Sequence, residues 1–160
     1  MNPVAWLVSF LLPACGFPGA HGLPTPPLMD FAHIERPASP NTALAAPAGF
    51  SPTPDIVTPA YPVPADALFN VVQAVASEQP RTFQASEYEA QLQAHFVVRS
   101  AVFNFPDLVA VQVQSEAPDR SDLVIWSRSV YGRSDLGVNQ KRVQVWLDAL
   151  QNKIPSSTAR

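Results

Sequence analysis

Prolines are distributed unevenly along this chain, and their distribution limits where helices and central strands can form. Fourteen of the eighteen prolines lie in residues 1–64, and only four lie in residues 65–160. A proline lacks the backbone N–H that a helix interior or a central strand needs. Nine of the ten basic residues also follow residue 64. The composition therefore predicts a boundary near Pro64, with an extended segment before it and one folded domain after it.

Four parts follow from this boundary: a leader over 1–15, a proline-rich strap or linker over 16–64, a folded domain over 65–152 and a tail over 153–160. A solvated linker does not need large apolar side chains. The second part nevertheless carries Phe31, Ile34, Phe50, Ile56, Val57 and Tyr61. These residues favour an extended strap that is partly docked on the domain over a free linker.

The N-terminal sequence has features of an export signal. The apolar run Pro3–Leu12 is too short to cross a bilayer, which takes about 20 residues, but it has the length of a signal-peptide core. The next residues, LPAC, resemble a bacterial lipobox and predict lipidation of Cys15. No Lys or Arg precedes the run, and Pro13 stands where a small residue is usual. A leader that is conventionally cleaved or uncleaved, and a plain tail, therefore stay as alternatives.

The location of the protein follows from these N-terminal alternatives. If Cys15 carries lipid, residues 16–64 would tether the domain to a membrane, because proline-rich chains act as semi-rigid spacers. Both a lipoprotein leader and an ordinary leader predict the periplasmic side of the bacterial cell envelope.

The part after Pro64 predicts an α+β fold, in which two helices pack on an antiparallel sheet of about four strands. An apolar stripe at helical spacing predicts a helix that begins after Pro64 and ends by Pro80. Residues 86–100 alternate between apolar and polar, which predicts one half-buried strand with His95 on its solvent side. Residues 123–131 are apolar on both faces, as in a covered central strand. A closing helix is predicted over 135–152.

The segment SRSVYGRSDLGVNQKR, which spans 127–142, predicts a structural lock on the turn between the last strand and the closing helix. Strand parity places Arg128 on an apolar face, where it would need a carboxylate such as Asp135 or Asp107. Helical projection places Asn139 inside the apolar stripe, where its amide needs partners, for which the turn at 132–135 is the nearest source. Two glycines, Gly132 and Gly137, would permit turn conformations that other residues resist.

The same segment predicts an anion-binding site. Arg133, Lys141 and Arg142 lie close to the start of the closing helix, whose free N–H groups favour anions. A carboxylate, a phosphate group or a lipid headgroup would suit such a site. A solvated charged face is the alternative interpretation of these cations.

Several function classes lack support in the sequence. The net charge is −3, which argues against nucleic acid as a partner. There is no Cys/His cluster for a metal and no glycine-rich phosphate loop, so no cofactor is predicted. Ser127, Ser129 and Ser134 have no histidine near them in the sequence to act as a base, so no enzyme is predicted.

A structural or interaction module with an envelope protein as its partner is the first hypothesis, and a module that binds an anion or lipid headgroup through 128–142 is the alternative.

Three sequence stretches carry a resemblance to a known family. Ser127–Val143 (SRSVYGRSDLGVNQKRV), Phe103–Val113 (FNFPDLVAVQV) and Arg36–Phe50 (RPASPNTALAAPAGF) resemble the bacterial domain of unknown function 1499 family. The likeness covers about residues 30–150. It implies a small envelope protein, in some members with an N-terminal membrane or lipoprotein segment, and implies no particular reaction. Some members have a Cys after the Pro-Asn pair, where this chain has Thr42.

Overall fold

A six-stranded sheet forms the centre of the computed structural model, which describes residues 11–154. Most of the predicted leader (1–10) and most of the predicted tail (155–160) lie outside the described residues. The strands are β1 (Thr42–Ala46), β2 (Ile56–Val57), β3 (Thr82–Tyr88), β4 (Gln93–Arg99), β5 (Pro106–Ala117) and β6 (Arg120–Ser129). The helices are α1 (Ala65–Glu78) and α2 (Val138–Lys153).

The predicted α+β class is confirmed, but the sheet is larger than expected. Its strand order is β2-β1-β6-β5-β4-β3, in which β3 to β6 form an antiparallel meander of four strands. The segment assigned to the strap adds β1, antiparallel to β6, and β2, parallel to β1. The prediction of about four strands in a purely antiparallel sheet was therefore wrong. The additional strand β1 fits because residues 41–46 contain no proline.

Both helices pack on one face of the sheet. α1 follows β2 at one edge of the sheet and leads to β3 at the other edge. Its buried residues Leu68, Val72 and Val75 lie at the spacing of one helical face. They share a core with Trp146 of α2, whose indole meets the ring of Phe96 edge-on at 5.6 Å between centroids. The apolar residues of both helices thus cover the middle strands.

The strap covers the opposite face. Phe31 and Ile34 are buried there against Leu44, Val124 and Trp126, and Met29 and Phe50 pack around this second core. Since β6 is buried by helices on one side and by the strap on the other, its predicted place as a covered central strand is confirmed. Of the six apolar strap residues, three belong to this second core, Ile56 and Tyr61 pack into the core on the helix side, and only Val57 is largely exposed.

Residues 86–100 are not one strand. β3 ends at Tyr88, a 3₁₀ turn spans Glu89–Gln91, and Leu92 adopts a left-handed conformation with φ of 46° before β4 begins. The two strands pair as an antiparallel hairpin. The alternation of apolar and polar residues continues through the turn without a Gly, Pro or Asn, so the sequence pattern does not reveal it.

Candidate functional site

Asn139 lies at the centre of a buried network at the corner between β6 and α2. Its side chain is fully buried, in agreement with its place in the apolar stripe. The amide oxygen accepts from Ser127 Oγ at 2.6 Å, and the amide nitrogen lies within hydrogen-bond distance of Ser129 Oγ at 2.9 Å. We call the set Asn41, Asp107, Ser127, Ser129, Asp135, Asn139 and Arg142 the corner network.

The strap supplies one member of this network. Asn139 Nδ2 donates to the backbone oxygen of Asn41 at 2.9 Å, and Asn41 Nδ2 donates to the backbone oxygen of Gly132 at 2.7 Å. Asn41 precedes β1 and also accepts from the backbone N–H of Ser129 through its carbonyl group. The sequence predicted partners for Asn139 only from the nearby turn. The contact with Asn41 was missed because it joins residues that are 98 positions apart.

Asp135 occupies the N-terminal end of α2. Its carboxylate accepts from the backbone N–H of Gly137 at 3.0 Å and of Asn139 at 2.7 Å. Burial favours the neutral acid, but the hydrogen bonds from Asn139 and Gly137 outweigh it and lower the pKa of Asp135. The helix N-terminus is therefore already capped by a carboxylate of this chain. An external anion, which the sequence predicts at these N–H groups, would have to displace this carboxylate.

Arg142 takes the place that the sequence assigned to Arg128. Its Nη2 lies 2.5 Å from Asp107 Oδ2, and its Nη1 donates to Asn139 Oδ1 at 2.7 Å. Arg128 is exposed, so its predicted membership of the turn lock was wrong. The apolar side chains of the strap cover Trp126, whereas Arg128, two residues further along β6, is exposed. Arg142 was predicted as an anion-binding residue, and in the structure its guanidinium is paired with Asp107.

The turn itself uses the conformations that its glycines allow. Gly132 has φ of 88° and Gly137 has φ of 80°, and Gly137 precedes the first residue of α2. Leu136 lies between them in the chain with φ of 53°, a left-handed conformation that is unusual for leucine. Four of the five predicted lock residues therefore lie together at this corner, namely Gly132, Asp135, Gly137 and Asn139.

A basic cleft opens beside this corner. It lies between the open end of the β3–β4 hairpin and the first turns of α2, with a volume of about 350 Å³. Its charged lining side chains include Arg81 and Lys141, both exposed, and its apolar lining includes Val98, Val145 and Trp146. No Asp or Glu lies among the described residues that line it. Arg133, the third predicted anion-binding residue, is exposed on the turn and is not part of the lining.

The outer face of β4 binds the strap through polar side chains. Gln93 Nε2 donates to the backbone oxygen of Met29 at 2.9 Å, and Gln93 Oε1 accepts from the backbone N–H of Met29 at 2.7 Å. His95 Nε2 lies 2.8 Å from the same Gln93 oxygen, so it donates to it. His95 is buried, and its predicted solvent exposure was wrong because the strap covers this polar face. Burial and then the charge of Arg128 lower the pKa of His95 to about 4.

The N-terminal described residues are held by Arg99 and Asn104. The buried Arg99 donates to the backbone oxygens of Ala14, Gly19 and His21 at 2.5, 2.9 and 2.6 Å. Asn104 Nδ2 lies 2.6 Å from the backbone oxygen of Cys15. These contacts fix the path of the chain across the end of β4. Sequence patterns do not reveal these contacts, because they join residues that are far apart in the chain.

Cys15, the predicted lipidation site, is fully buried in a 3₁₀ turn over Pro13–Gly16. Burial raises the pKa of its thiol, although the charge of Arg99 opposes this. Attachment of lipid at this sulfur would require the turn to move away from Arg99 and Asn104.

The chemistry available at the corner is hydrogen bonding and ion pairing. Ser127 donates its hydroxyl proton to Asn139, and no histidine contacts the corner network among residues 11–154. Within the same residues, no group of three His, Cys, Asp or Glu side chains is placed to hold a metal ion. None of the helices described is long and apolar enough to span a bilayer.

Comparison with known proteins gives a family for this chain. The model of a family described as "Protein of unknown function (DUF1499)" matches residues 34–150, which include the sheet, both helices through Leu150 and the whole corner network. No curated protein matches the chain. The match spans most of the chain and contains the segments on which the resemblance was based, and the chain therefore belongs to the DUF1499 family.

Proposed function

We propose that the chain is a non-catalytic module of the bacterial cell envelope that binds amphipathic anions in the basic cleft. The observation that carries this proposal is the combination of two exposed cations, Arg81 and Lys141, with an apolar floor that includes Trp146. A small ligand site in a protein is typically a mostly apolar cavity with a few polar groups that fix orientation. The cleft has this composition.

The charges of the cleft favour an anion over a cation or a neutral ligand. Lys141 makes no ion pair with the described residues, and Arg81 uses only its Nε, which donates to the backbone oxygen of Arg99 at 2.9 Å. The terminal nitrogens of Arg81 and the ammonium of Lys141 are therefore available for a phosphate or carboxylate. Arg142 adds less positive charge to the cleft, because its guanidinium is paired with Asp107.

The apolar floor favours a ligand with a hydrocarbon part. Val138, Val145 and Trp146 present carbon surface along one side of α2. A cavity of about 350 Å³ lies within the size range of small-molecule sites. It accommodates an anionic headgroup together with part of an alkyl chain. A membrane lipid and a free alkyl phosphate share this chemistry.

The non-catalytic character is supported by the state of the candidate nucleophiles. Ser127 and Ser129 are both engaged by the amide of Asn139, and neither contacts a base. Envelope location is supported by the sequence: the apolar run Pro3–Leu12 and the lipobox-like LPAC. A partner protein bound through the apolar strap residues is less well supported, because Phe31, Ile34 and Tyr61 are buried within the molecule.

Calorimetric titration of the full chain with decyl phosphate tests the proposal. We expect saturable binding, and we expect Lys141→Ala and Arg81→Ala each to weaken it about tenfold, the value of one charge-assisted hydrogen bond. The matched control is Arg120→Ala, which removes an exposed cation beside the turn between β5 and β6. Decanol and decyltrimethylammonium control for the anionic group. Equal affinity for all three ligands, or equal affinity in all variants, would refute the cleft as an anion site.

A further inference from the structure

We propose that one end of the folded domain is a docking surface for an anionic bilayer. The surface consists of exposed apolar side chains on three neighbouring segments, together with cations. We call its apolar part, Leu11, Phe103, Leu136 and Val138, the apolar rim. This proposal concerns contact between the domain and a membrane. Of the four residues of the apolar rim, only Val138 also lines the basic cleft.

The three segments meet around one cavity. Leu12, Phe105, Tyr131 and Val138 line a cavity of about 310 Å³ at the end of the sheet where β5 begins. The ring of Phe103 stacks on Phe105 at 5.3 Å between centroids. Leu11 and Leu136 are chain neighbours of residues in or beside this cavity. The apolar rim is therefore one local feature and not a set of scattered side chains.

The exposure of the rim is unusual for a protein surface. Leu136 is 95% exposed and Leu11 is 79% exposed, and Val138 and Phe103 are more than two-fifths exposed. Leu136 also holds a left-handed conformation, which Gly or Asn would adopt at less cost. Leucine at this position gains nothing for the fold, since its side chain lies in water. Local strain combined with exposed apolar surface is typical of a site of interaction.

The charges around the rim match an anionic surface. Arg133 is exposed in the same turn, and Lys141 is exposed one turn further along α2. The segments 11–22 and 100–105 contain no acidic residue. The two acids that line the cavity are both engaged, Asp135 by backbone N–H groups and Asp107 by Arg142. Cations beside exposed apolar side chains are the composition of interfacial membrane-binding surfaces.

The described N-terminal residues are bound to the same end of the domain. Arg99 and Asn104 bind residues 14–21 to the domain, and Leu12 then lies against the cavity. Residues 3–10, which precede it in the chain, continue the apolar run. The rim therefore includes the point at which the apolar run enters the described part of the chain. This surface belongs to the uncleaved chain, because cleavage at the lipobox-like LPAC would remove Leu11 and Leu12.

The test places an environment-sensitive fluorophore on the rim of the full chain. Leu136→Cys in a Cys15→Ser background is labelled with a nitrobenzoxadiazole dye, and the matched control is Asp119→Cys at the turn between β5 and β6, at the opposite end of the sheet. The proteins are mixed with vesicles of phosphatidylglycerol and phosphatidylcholine, or of phosphatidylcholine alone. We expect a blue shift and quenching by brominated acyl chains at position 136 only, with binding about tenfold weaker without the anionic lipid.

Two outcomes would overturn this proposal. The first is a label at position 136 that keeps its aqueous spectrum while the protein is bound, which would show that the N-terminal run alone reaches the lipid. The second is equal binding to both kinds of vesicle. A further variant, Leu136→Asp, separates this proposal from the cleft: we expect it to abolish the blue shift of a label at Phe103→Cys while leaving decyl phosphate binding unchanged. An intact blue shift at position 103 in Leu136→Asp would contradict the rim. If the unsubstituted chain does not bind decyl phosphate but the label at position 136 still shifts to the blue, the cleft alone is refuted.

Discussion

At the scale of single residues, the corner depends on amide and carboxylate groups that satisfy one another. No buried side-chain nitrogen or oxygen among the described residues lacks a hydrogen-bond partner. Asn139 is the central residue of the corner network, because its side chain joins β6, α2 and the residue that leads into β1. Its role was predictable, since helical projection places a polar residue inside an apolar stripe and a buried amide needs partners.

Replacing Asn139 by Ala should therefore destabilise the protein. We expect the free energy of unfolding to fall by about 2–3 kcal/mol, because the groups around Asn139 would stay buried without partners. The matched control is Gln140→Ala, at the exposed neighbouring position of α2, where we expect a change of a few tenths of a kcal/mol. Urea denaturation measures both. Equal effects of the two substitutions would show that the network does not hold the corner.

His95 makes the stability of the protein depend on pH. Its pKa is about 4 in the folded chain, against 6.5 as its ordinary value. The unfolded chain therefore takes up a proton as pH falls below about 6.5, while the folded chain resists protonation until about pH 4. The contribution of His95 to the free energy of unfolding therefore keeps its full value above pH 6.5. It falls between pH 6.5 and pH 4, by about 2 kcal/mol after allowance for solvent screening.

Denaturation midpoints measured between pH 7 and pH 4 test this prediction. His95→Gln should flatten the dependence in that interval, because the titrating group is gone. Ser86→Ala is the control: it removes a hydrogen bond from the same region to the strap residue Pro26 but no titrating group. It should lower stability at every pH and keep the wild-type slope. A wild-type slope in His95→Gln would assign the pH dependence to other groups.

At the scale of elements, the strap is a structural part of the fold. Phe31→Ala should cost about 3 kcal/mol, because the buried ring fills the core against Trp126. The matched control is Leu28→Ala in the same strap, where the side chain is about half exposed and the cost should be well below 1 kcal/mol. Chemical denaturation again measures the difference. A cost for Phe31→Ala as small as that of the control would mean that the strap is not packed on the sheet in solution.

The elements with strong periodicity were predictable, and those decided by distant contacts were not. The stripe after Pro64 and the two-faced apolar run of β6 predicted α1 and the central strand. β1 was not predicted because prolines are dense over the strap as a whole, although residues 41–46 contain none. The β3–β4 turn was missed because it uses a 3₁₀ turn and a left-handed Leu92 without glycine or proline.

In the candidate site, too, contacts between distant residues could not be predicted from local sequence. Parity along β6 placed Ser127 and Ser129 on one face and Arg128 on the other. Parity does not say which part of a face another segment covers, and the strap leaves Arg128 in water. The ion pair of Asp107 with Arg142 joins residues 35 positions apart, so local sequence could not assign it.

At the scale of the whole molecule, both faces of the sheet are used for the fold. The helices cover one face and the strap covers the other. The surfaces that remain for binding are therefore the ends of the sheet and the gaps between elements. The basic cleft and the apolar rim lie next to each other at one end, and Val138 belongs to both.

Proton–nitrogen correlation spectra of the full chain during a titration with decyl phosphate test the central claim most directly. Trp146 lines the cleft, whereas Trp126 packs on the opposite, strap-covered face, so its side-chain N–H signal provides an internal control. We predict that the Trp146 signal shifts with saturation and that the Trp126 signal stays in place. A Trp146 signal that does not respond, or equal shifts of both signals, would contradict the claim that the cleft binds amphipathic anions.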